Sequence, residues 1–178
     1  DSHDPQQADL ILDRACFEEM AQLARDLDSR FLQRYVQLLV DVANLRTAVR
    51  VHRMGREPEF LRQVLLPGGS VSEQSIAAAR GEALGDLFHT GRLAQAAELG
   101  AKLAQPGAGA MTDFERACDD AVTAYLASER RVPFGEEPVV GYLYAREAEF
   151  TAIRTIFAGR AAKLEGDVIR RRLRETYV

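Results

Sequence analysis

Metal binding and proton transfer in enzymes depend most often on histidine, and this sequence contains only three. Of these, only His89 has an acidic residue at ligand spacing, in the segment Asp86-x-x-His89. A metal site between helices usually needs a second such motif on a facing helix, and the sequence has none. The hypothesis of a helical-bundle enzyme or metalloprotein therefore rests on this one pair of residues. We predict no catalytic residue, no metal and no cofactor.

Other groups that could support catalysis are poorly arranged for it. Adjacent acids point in different directions on a helix or lie in a loop, so they cannot act together as acid and base. These pairs are Glu18-Glu19, Asp119-Asp120 and Glu136-Glu137. The glycine-rich phosphate loop of nucleotide-binding proteins is also absent from the sequence, which makes nucleotide binding an unfavoured function.

The composition describes a chain that can fold around its own core. It has 178 residues, of which 47% are hydrophobic, and its 23 basic and 27 acidic side chains give a net charge of −4. This mild acidity gives no general attraction to nucleic acid or anionic lipid. Cys16 and Cys118 form no disulfide or metal motif, so we expect a reducing compartment and two small core residues. No apolar run reaches the roughly 18 residues of a membrane span.

Helix-forming residues dominate and no strand pattern occurs, which predicts an all-α fold. Asp4 caps the first helix, Ser29 caps the second, and Gly55 ends it. Two apparent capping boxes, at Ser70 and at Thr112 with Glu115, open later helices. The predicted helices span residues 5–28, 30–54, 58–65, 70–88, 92–103, 112–129, 139–158 and 167–175, and Gly159 ends the long one.

The spacing of apolar residues predicts which faces are buried. The helix at 30–54 carries two adjacent apolar stripes, so we expect other helices to surround it. The helices at 70–88 and 92–103 are expected to pair as a hairpin, in which Gly81 and Gly85, on one face, allow a close approach. One stripe of the first helix is expected to face the core. It consists of Leu12, Cys16, Met20, Leu23 and Leu27.

An internal repeat organises these helices. The dipeptide Arg46-Thr47 recurs as Arg154-Thr155, 108 positions later, and this offset aligns apolar and charged residues on both sides without a gap. Upstream, residues 12–16 align with residues 114–118 at an offset of 102. We therefore predict two tandem units of helix, long helix and short helix. The first, with a connecting hairpin, spans residues 1–105, and the second spans residues 106–178.

Charges embedded in the two long helices are the most suggestive polar residues. Asp41 and Arg46 recur as Glu149 and Arg154. An acid and a base five positions apart do not face each other on one helix, so each pairs with a neighbouring element or points toward a partner. Both alternatives stay open, and the repeat predicts similar effects for the substitutions Arg46→Ala and Arg154→Ala.

Several separate blocks, in this order, resemble one protein family. They are Asp41-x-x-Asn44-Leu45-Arg46, Leu65-Leu66-Pro67-Gly68-Gly69, Val132-Pro133-Phe134-Gly135 and Gly141-Tyr142-Leu143. This pattern resembles the C subunit of bacterial and archaeal V/A-type rotary ATPases, the counterpart of the d subunit of eukaryotic vacuolar ATPases. The resemblance runs from about residue 13 to residue 178 and implies the C-terminal two thirds of such a protein.

The resemblance implies an all-helical, non-catalytic subunit whose three similar units form a socket, with two units present here. Such a subunit belongs to the central stalk of an ATP synthase or ATPase that transports protons or sodium. It lies peripherally on the cytoplasmic face of the membrane, between the rotor shaft and the ring of proteolipid subunits. Polar residues must line such a socket. Candidates for partner contact or unit-to-unit pairing are therefore Asp41, Arg46, Glu149, Arg154 and Arg160.

The alternative function is a free-standing helical-repeat adaptor that binds another protein in its groove, as many stacked helical units do. The position of the gene distinguishes the two functions. A coupling subunit should be encoded among the other subunits of the ATPase, whereas an adaptor need not be.

Overall fold

The computed structural model describes residues 5–177 and is all-α, with no strand in that range, so the predicted fold class is confirmed. Asp4, the predicted first cap, lies outside the described residues. Within them, nine helices follow one another. They are α1 (Pro5–Asp26), α2 (Arg30–Arg53), α3 (Pro58–Val64), α4 (Glu73–Ala78), α5 (Glu82–Asp86), α6 (Ala94–Leu103), α7 (Thr112–Glu129), α8 (Glu136–Ala161) and α9 (Gly166–Arg172).

Helix α2 is the centre of the fold, as its two apolar stripes predict. Helices α1, α3, α4, α6 and α7 all pack against it. The Ser29 side chain accepts a hydrogen bond from Leu32 N at 3.1 Å, which confirms the predicted cap. Leu45 and Val49 are completely shielded from solvent. Burying one such side chain contributes about 1.5–3 kcal/mol to the stability of the folded state, so α2 organises the hydrophobic core.

The segment 70–88 is not one helix, contrary to the prediction. Ser72, not Ser70, caps α4, because its side chain accepts a hydrogen bond from Ser75 N at 3.2 Å. Gly81 precedes α5 with a φ of +53°, a left-handed conformation that suits glycine and interrupts the helix. Gly81 therefore does not share a helix face with Gly85. Helices α5 and α6 do pack together, with Gly85 at their contact.

The predicted capping box at the start of α7 is also wrong. Met111 is the residue before the helix, and no side chain caps its first turn. Thr112 already lies inside α7, and Glu115 points toward α2, where it pairs with Arg46. An ion pair with another helix thus replaces the local hydrogen bond that the spacing suggests.

Helix α8 is longer at both ends than the sequence predicts. It begins at Glu136, because Pro138 fits in a first helical turn, where its missing N–H is not needed. Gly159 does not end the helix but lies buried within it. A Cβ at Gly159 would lie 2.7 Å from Ile169 Cγ1, so the glycine allows α9 to approach α8 closely.

Two helices of the second predicted unit match their counterparts in the first. The ends of α2 and α8 lie 108 positions apart, and so do both ends of α3 and α9. These boundaries are consistent with the predicted repeat. The division into residues 1–105 and 106–178 stays a prediction.

One face of α1 is not where its apolar pattern predicts. Leu12 and Leu23 are 66% and 54% exposed, and the Cys16 thiol is exposed as well. The helix packs on the core through another face, which includes Leu10 and Ala24. The prediction that Cys16 is a core residue is therefore wrong. Apolar residues that share one face of a helix are buried only where another part of the chain covers that face. Cys118 is buried, as predicted.

Candidate interaction surface

Asp41 lies inside the fold and holds the loop that precedes α4. Its carboxylate accepts hydrogen bonds from Ser70 N at 2.8 Å and from Ser70 Oγ at 2.5 Å. Burial raises the pKa of Asp41, although hydrogen bonds from Ser70 and Val71 act in the opposite direction. A Cβ at Gly69 would collide with this carboxylate, which explains the glycine in the loop. In the described structure, Asp41 therefore braces the loop between α3 and α4.

Asn44 supports the same loop, a role that sequence reasoning missed. Its Nδ2 donates to Leu66 O and its Oδ1 accepts from Leu66 N, both at 2.8 Å. The side chain is almost completely buried, so these two hydrogen bonds replace those it loses to water. The signal that could have revealed it is an amide within a turn of Asp41, on the side of α2 away from its two apolar stripes.

Arg46 joins α2 to α7, and so joins the two predicted units. Its Nε lies 2.8 Å from Glu115 Oε2, and its Nη2 donates to Asp119 Oδ1 at 2.5 Å. Burial disfavours the charged guanidinium, but the hydrogen bond and negative charge of Asp119 outweigh this effect, so the pKa of Arg46 is raised. In the described structure, this arginine makes a contact between α2 and α7.

Two further arginines extend this network of charges. Arg50 Nη2 lies 2.6 Å from Glu115 Oε1, and Arg174, after α9, forms an ion pair with Asp119. Each of the two acids on α7 therefore contacts two arginines. Because these charges form a partly buried network, they fix α2, α7 and the C-terminal segment relative to one another better than isolated surface pairs would.

The three other candidates lie on the surface of α8. Glu149 forms an ion pair with Arg146 of the same helix. Arg154 and Arg160 are exposed, and neither side chain has a hydrogen-bond or ion-pair partner in the part of the chain that the structure describes. The structure thus separates the five candidates into two that hold the fold together and three that face outward on one helix.

An open groove between α7, α8 and α9 adjoins this surface. Its volume is about 730 Å³, and it contains the charged side chains of Glu115, Arg154, Arg172 and Arg174. Apolar lining comes from Ile169 and neighbouring small residues. A groove with this mixture suits a helix or loop that carries both acidic and apolar side chains.

The outer face of α8 is apolar and almost uncovered. Only Gly141 and Gly159 of this helix are buried. One helical stripe of exposed side chains, called here the α8 stripe, consists of Val139, Leu143, Phe150, Ile153 and Phe157. The guanidinium of Arg146 lies over the Phe150 ring within this stripe. An exposed apolar surface of this kind usually marks a surface that binds another protein.

The groups considered for catalysis do not converge. The Nδ1 of His89 lies against the Asp86 main-chain oxygen rather than beside the Asp86 carboxylate. Among residues 5–177, no group of three or more His, Cys, Asp or Glu side chains is arranged to hold a metal ion. Burial raises the pKa of the Cys118 thiol to about 12, so this thiol stays protonated near neutral pH. Separately, none of the described helices has the length and apolar character required to cross a bilayer.

The sequence matches a family model and several curated proteins. The matching family is described as ATP synthase (C/AC39) subunit, and the match covers residues 1–172. The A-type ATP synthase C subunit of Haloferax volcanii is 28% identical over 162 residues, which are 89% of this chain and 46% of that protein. The V-type sodium ATPase C subunit of Enterococcus hirae is 22% identical over 170 residues, or 95% of this chain and 52% of that protein.

A third relative, the A-type ATP synthase C subunit of Halorubrum lacusprofundi, is 29% identical over 162 residues, with 89% of this chain and 46% of that protein covered. The chain therefore spans about half the length of the curated relatives it matches. No solved structure matches the chain significantly.

Proposed function

Because this chain belongs to the ATP synthase (C/AC39) subunit family, we propose that it is a non-catalytic coupling subunit of a V/A-type rotary ATPase. In this role it belongs to the central stalk on the cytoplasmic face of the membrane. It receives the rotor shaft on one side and contacts the ring of proteolipid subunits on the other. The family match over residues 1–172 is the observation that carries the proposal, and the names of the curated relatives support it.

A coupling subunit must transmit torque, so its parts have to move together. Two features of the fold support this requirement. One hydrophobic cluster includes buried side chains of both α2 and α7. Arg46 and Arg50 of α2 also pair with acids of α7. A force applied to one predicted unit would pass through these contacts to the other.

Partner contact is assigned to exposed charges of α8. Glu149 and Arg160 are accessible, whereas Asp41 and Arg46 are engaged within the fold. Charges that are exposed in the free protein can steer its association with a partner and fix the orientation of the two proteins in the complex. Arg154, which occupies the position equivalent to Arg46, is a candidate for pairing between helical units instead.

Isolation of the native complex tests the function. The chromosomal gene is tagged, and proteins that co-purify from detergent-solubilised membranes are identified. We expect rotor-shaft, catalytic-head and proteolipid-ring subunits of the ATPase. Deletion of the gene should leave the ring in the membrane and release the shaft and head. Recovery of none of these subunits, together with an ATPase that assembles normally after deletion, would overturn the proposal.

A pair of charge reversals tests the assigned surface. Arg160→Glu should weaken binding of the tagged protein to purified rotor-shaft subunits by about tenfold, because the reversal places like charges at the contact. Arg131→Glu is the matched control, since Arg131 is also exposed but lies between α7 and α8, at the opposite end of α8 from Arg160 in the chain. Equal binding by both variants would show that Arg160 does not contact the shaft.

A further inference from the structure

Both buried residues of α8 are glycines, and a side chain from a later part of the chain covers each of them. Ile169 of α9 packs at Gly159, near the end of α8. Tyr177 packs at Gly141, near its beginning, where an added Cβ would lie 2.8 Å from Tyr177 Cζ. Residues 173–177, called here the strap, follow α9 and lead to this second contact. Together, α9 and the strap therefore contact α8 at both of its buried positions.

Carboxylates of α7 hold the strap in place. Arg174 forms an ion pair with Asp119, and Glu175 N donates to Asp120 Oδ1 at 2.8 Å. The side chains of Arg174 and Asp119 are 30% and 32% exposed, and the strap residues are all half-buried or exposed. The strap is thus attached to α7 by polar contacts that water and salt can reach.

The corresponding segment of the first predicted unit is held differently. At the offset of 108, residues 65–69, which follow α3, align with the strap. Leu66 of this segment is buried, and Asn44 of α2 holds its main chain through two hydrogen bonds. The residue of α8 that aligns with Asn44 is Ala152, whose side chain cannot form a hydrogen bond. The strap therefore lacks this buried, neutral anchor and depends on the charges of α7 instead.

Release of the strap would leave the rest of the fold intact. Asp119 would keep a second base, because Arg46 Nη2 lies 2.5 Å from its Oδ1. Helix α8 would stay attached through Val140 and Tyr144, which pack against the hydrophobic core, and Tyr144 Oη lies 3.0 Å from Thr123 Oγ1. Opening would therefore leave neither Asp119 without a base nor α8 without contact to the core.

We propose that the strap is a charge-controlled latch on α8. In the closed state, Tyr177 covers Gly141 and Arg174 pairs with Asp119. In the open state both contacts are absent, and α8 is held only by its other contacts. Screening of charge shifts the equilibrium toward the open state. An acidic side chain that enters the adjoining groove, which Arg174 lines, acts in the same direction by competing for its guanidinium.

The latch is a property of this chain alone, but it bears on the surface assigned to partner contact. Helix α8 carries Glu149 and Arg160, and the open state holds this helix less firmly than the closed state. A partner that opens the latch would thus change how rigidly these charges are presented. This consequence rests on the proposed function, whereas the latch itself does not.

Fluorine NMR of the chain labelled with fluorotyrosine reports the state of the latch. The chain contains five tyrosines, and Tyr177→Phe identifies the Tyr177 signal by its loss. Gly141→Ala is the open reference, because its methyl group would occupy the place of the Tyr177 ring while alanine favours the helix. We expect the Tyr177 signal to move in this variant toward its position in the unfolded chain, with little change at Tyr35 and Tyr125. An unchanged Tyr177 signal would overturn the proposal.

Charge variants test what closes the latch. Arg174→Gln should raise the ratio of open to closed protein by about fivefold, the effect of losing one well-placed ion pair. Arg174→Lys keeps the charge and should remain close to the unchanged chain. Arg170→Gln is the matched control, since Arg170 is exposed and pairs with Asp167 of its own helix. Equal ratios in Arg174→Gln and Arg170→Gln would overturn the charge control.

Salt gives an independent test. Raising the salt concentration from about 10 mM to about 1 M shortens the screening length from about 30 Å to about 3 Å. The Tyr177 signal of the unchanged chain should then move toward the open reference, and Arg174→Gln should respond less, because it lacks the pair that is screened. A signal that salt leaves in place in both proteins would show that apolar packing closes the strap and would overturn the proposal.

Circular dichroism confirms that each variant keeps its helical content, so that movement of the Tyr177 signal is not loss of fold. All of these measurements use the isolated chain. They therefore succeed or fail independently of the co-purification that tests the proposed function.

Discussion

Gly55 and Lys163, which lie 108 positions apart, adopt the same left-handed backbone at the ends of the two long helices. Their φ angles are +63° and +54°. The N–H of the following residue then donates a hydrogen bond to a carbonyl oxygen of the helix. Arg56 N donates to Val51 O at 3.2 Å, and Leu164 N donates to Gly159 O at 2.9 Å. The same helix-ending turn therefore occurs twice, once with the residue that suits it and once with a lysine.

Replacing these two residues should change stability in opposite directions. Lys163→Gly should raise the free energy of unfolding by about 0.5–1 kcal/mol, because a Cβ is unfavourable in this conformation. Gly55→Ala should lower it by about 1 kcal/mol, and this change is purely conformational, since no atom lies within 4 Å of the added Cβ. Urea denaturation measures both. Lys163→Ala is the control, and a gain as large as that of Lys163→Gly would attribute the effect to the lysine side chain instead.

Arg46→Ala and Arg154→Ala should differ in stability, although the repeat alone predicts similar effects. Arg46 is partly buried between two acids of α7, so its loss should cost about 1–2 kcal/mol in the free energy of unfolding. Arg154 is exposed, and its loss should change this value by less than about 0.5 kcal/mol in the monomer. Thermal unfolding at low protein concentration makes the comparison. Equal losses would mean that Arg154 also has a structural partner.

Gly100 and Gly85 should respond differently to alanine, though both lie at helix contacts. A Cβ at Gly100 would lie 2.8 Å from Val49 Cγ2 and 2.9 Å from Phe114 Cε2, so α6 would have to move from α2. Gly100→Ala should therefore destabilise the fold by about 1–2 kcal/mol, despite the better helix propensity of alanine. Gly85→Ala meets its nearest neighbour at 3.5 Å and should be neutral or slightly stabilising. Chemical denaturation of the two variants tests this difference in stability. Similar midpoints would show that the core around Gly100 adapts to the added methyl group.

Local signals in the sequence predicted the starts of α2 and α3 correctly. Ser29 caps α2 and Pro58 begins α3, because these residues act on the backbone beside them. The two stripes of α2 predicted its central position correctly, since a helix that is apolar on most sides has to be surrounded. All-α architecture followed from the same kind of information.

Two of the errors arose where a distant contact decides the outcome. Thr112 and Glu115 have the spacing of a capping box, yet Glu115 is drawn to Arg46 and Arg50 on another helix. Leu12 and Leu23 have the spacing of a core stripe, yet no element of the described chain covers them. The periodicity of apolar residues identifies one face of a helix. Whether that face is buried depends on which other elements are present to pack against it. For the same reason, the sequence could not distinguish the engaged Arg46 from the exposed Arg154.

His52 is buried at the end of α2, and neither of its ring nitrogens has a hydrogen-bond partner among the described residues. Burial lowers its pKa, and the positive charge of Arg80 lowers it further. The neutral imidazole is therefore the form compatible with the native state.

Stability should consequently depend on pH through His52. Above the unfolded-state pKa of about 6.5, His52 is neutral in both states and contributes no slope. Below that value the unfolded state binds a proton more readily than the folded state, so the free energy of unfolding should fall by up to about 1.4 kcal/mol per pH unit until the lowered native pKa is reached.

Urea denaturation between pH 7.5 and pH 5, about the range in which histidine titrates, measures this slope. His52→Leu should flatten it, whereas His89→Gln, which removes an exposed histidine, should not. The raised pKa of Asp41 acts in the opposite direction but is present in every variant, so it cancels in the comparison. An unchanged slope in His52→Leu would assign the pH dependence to other groups.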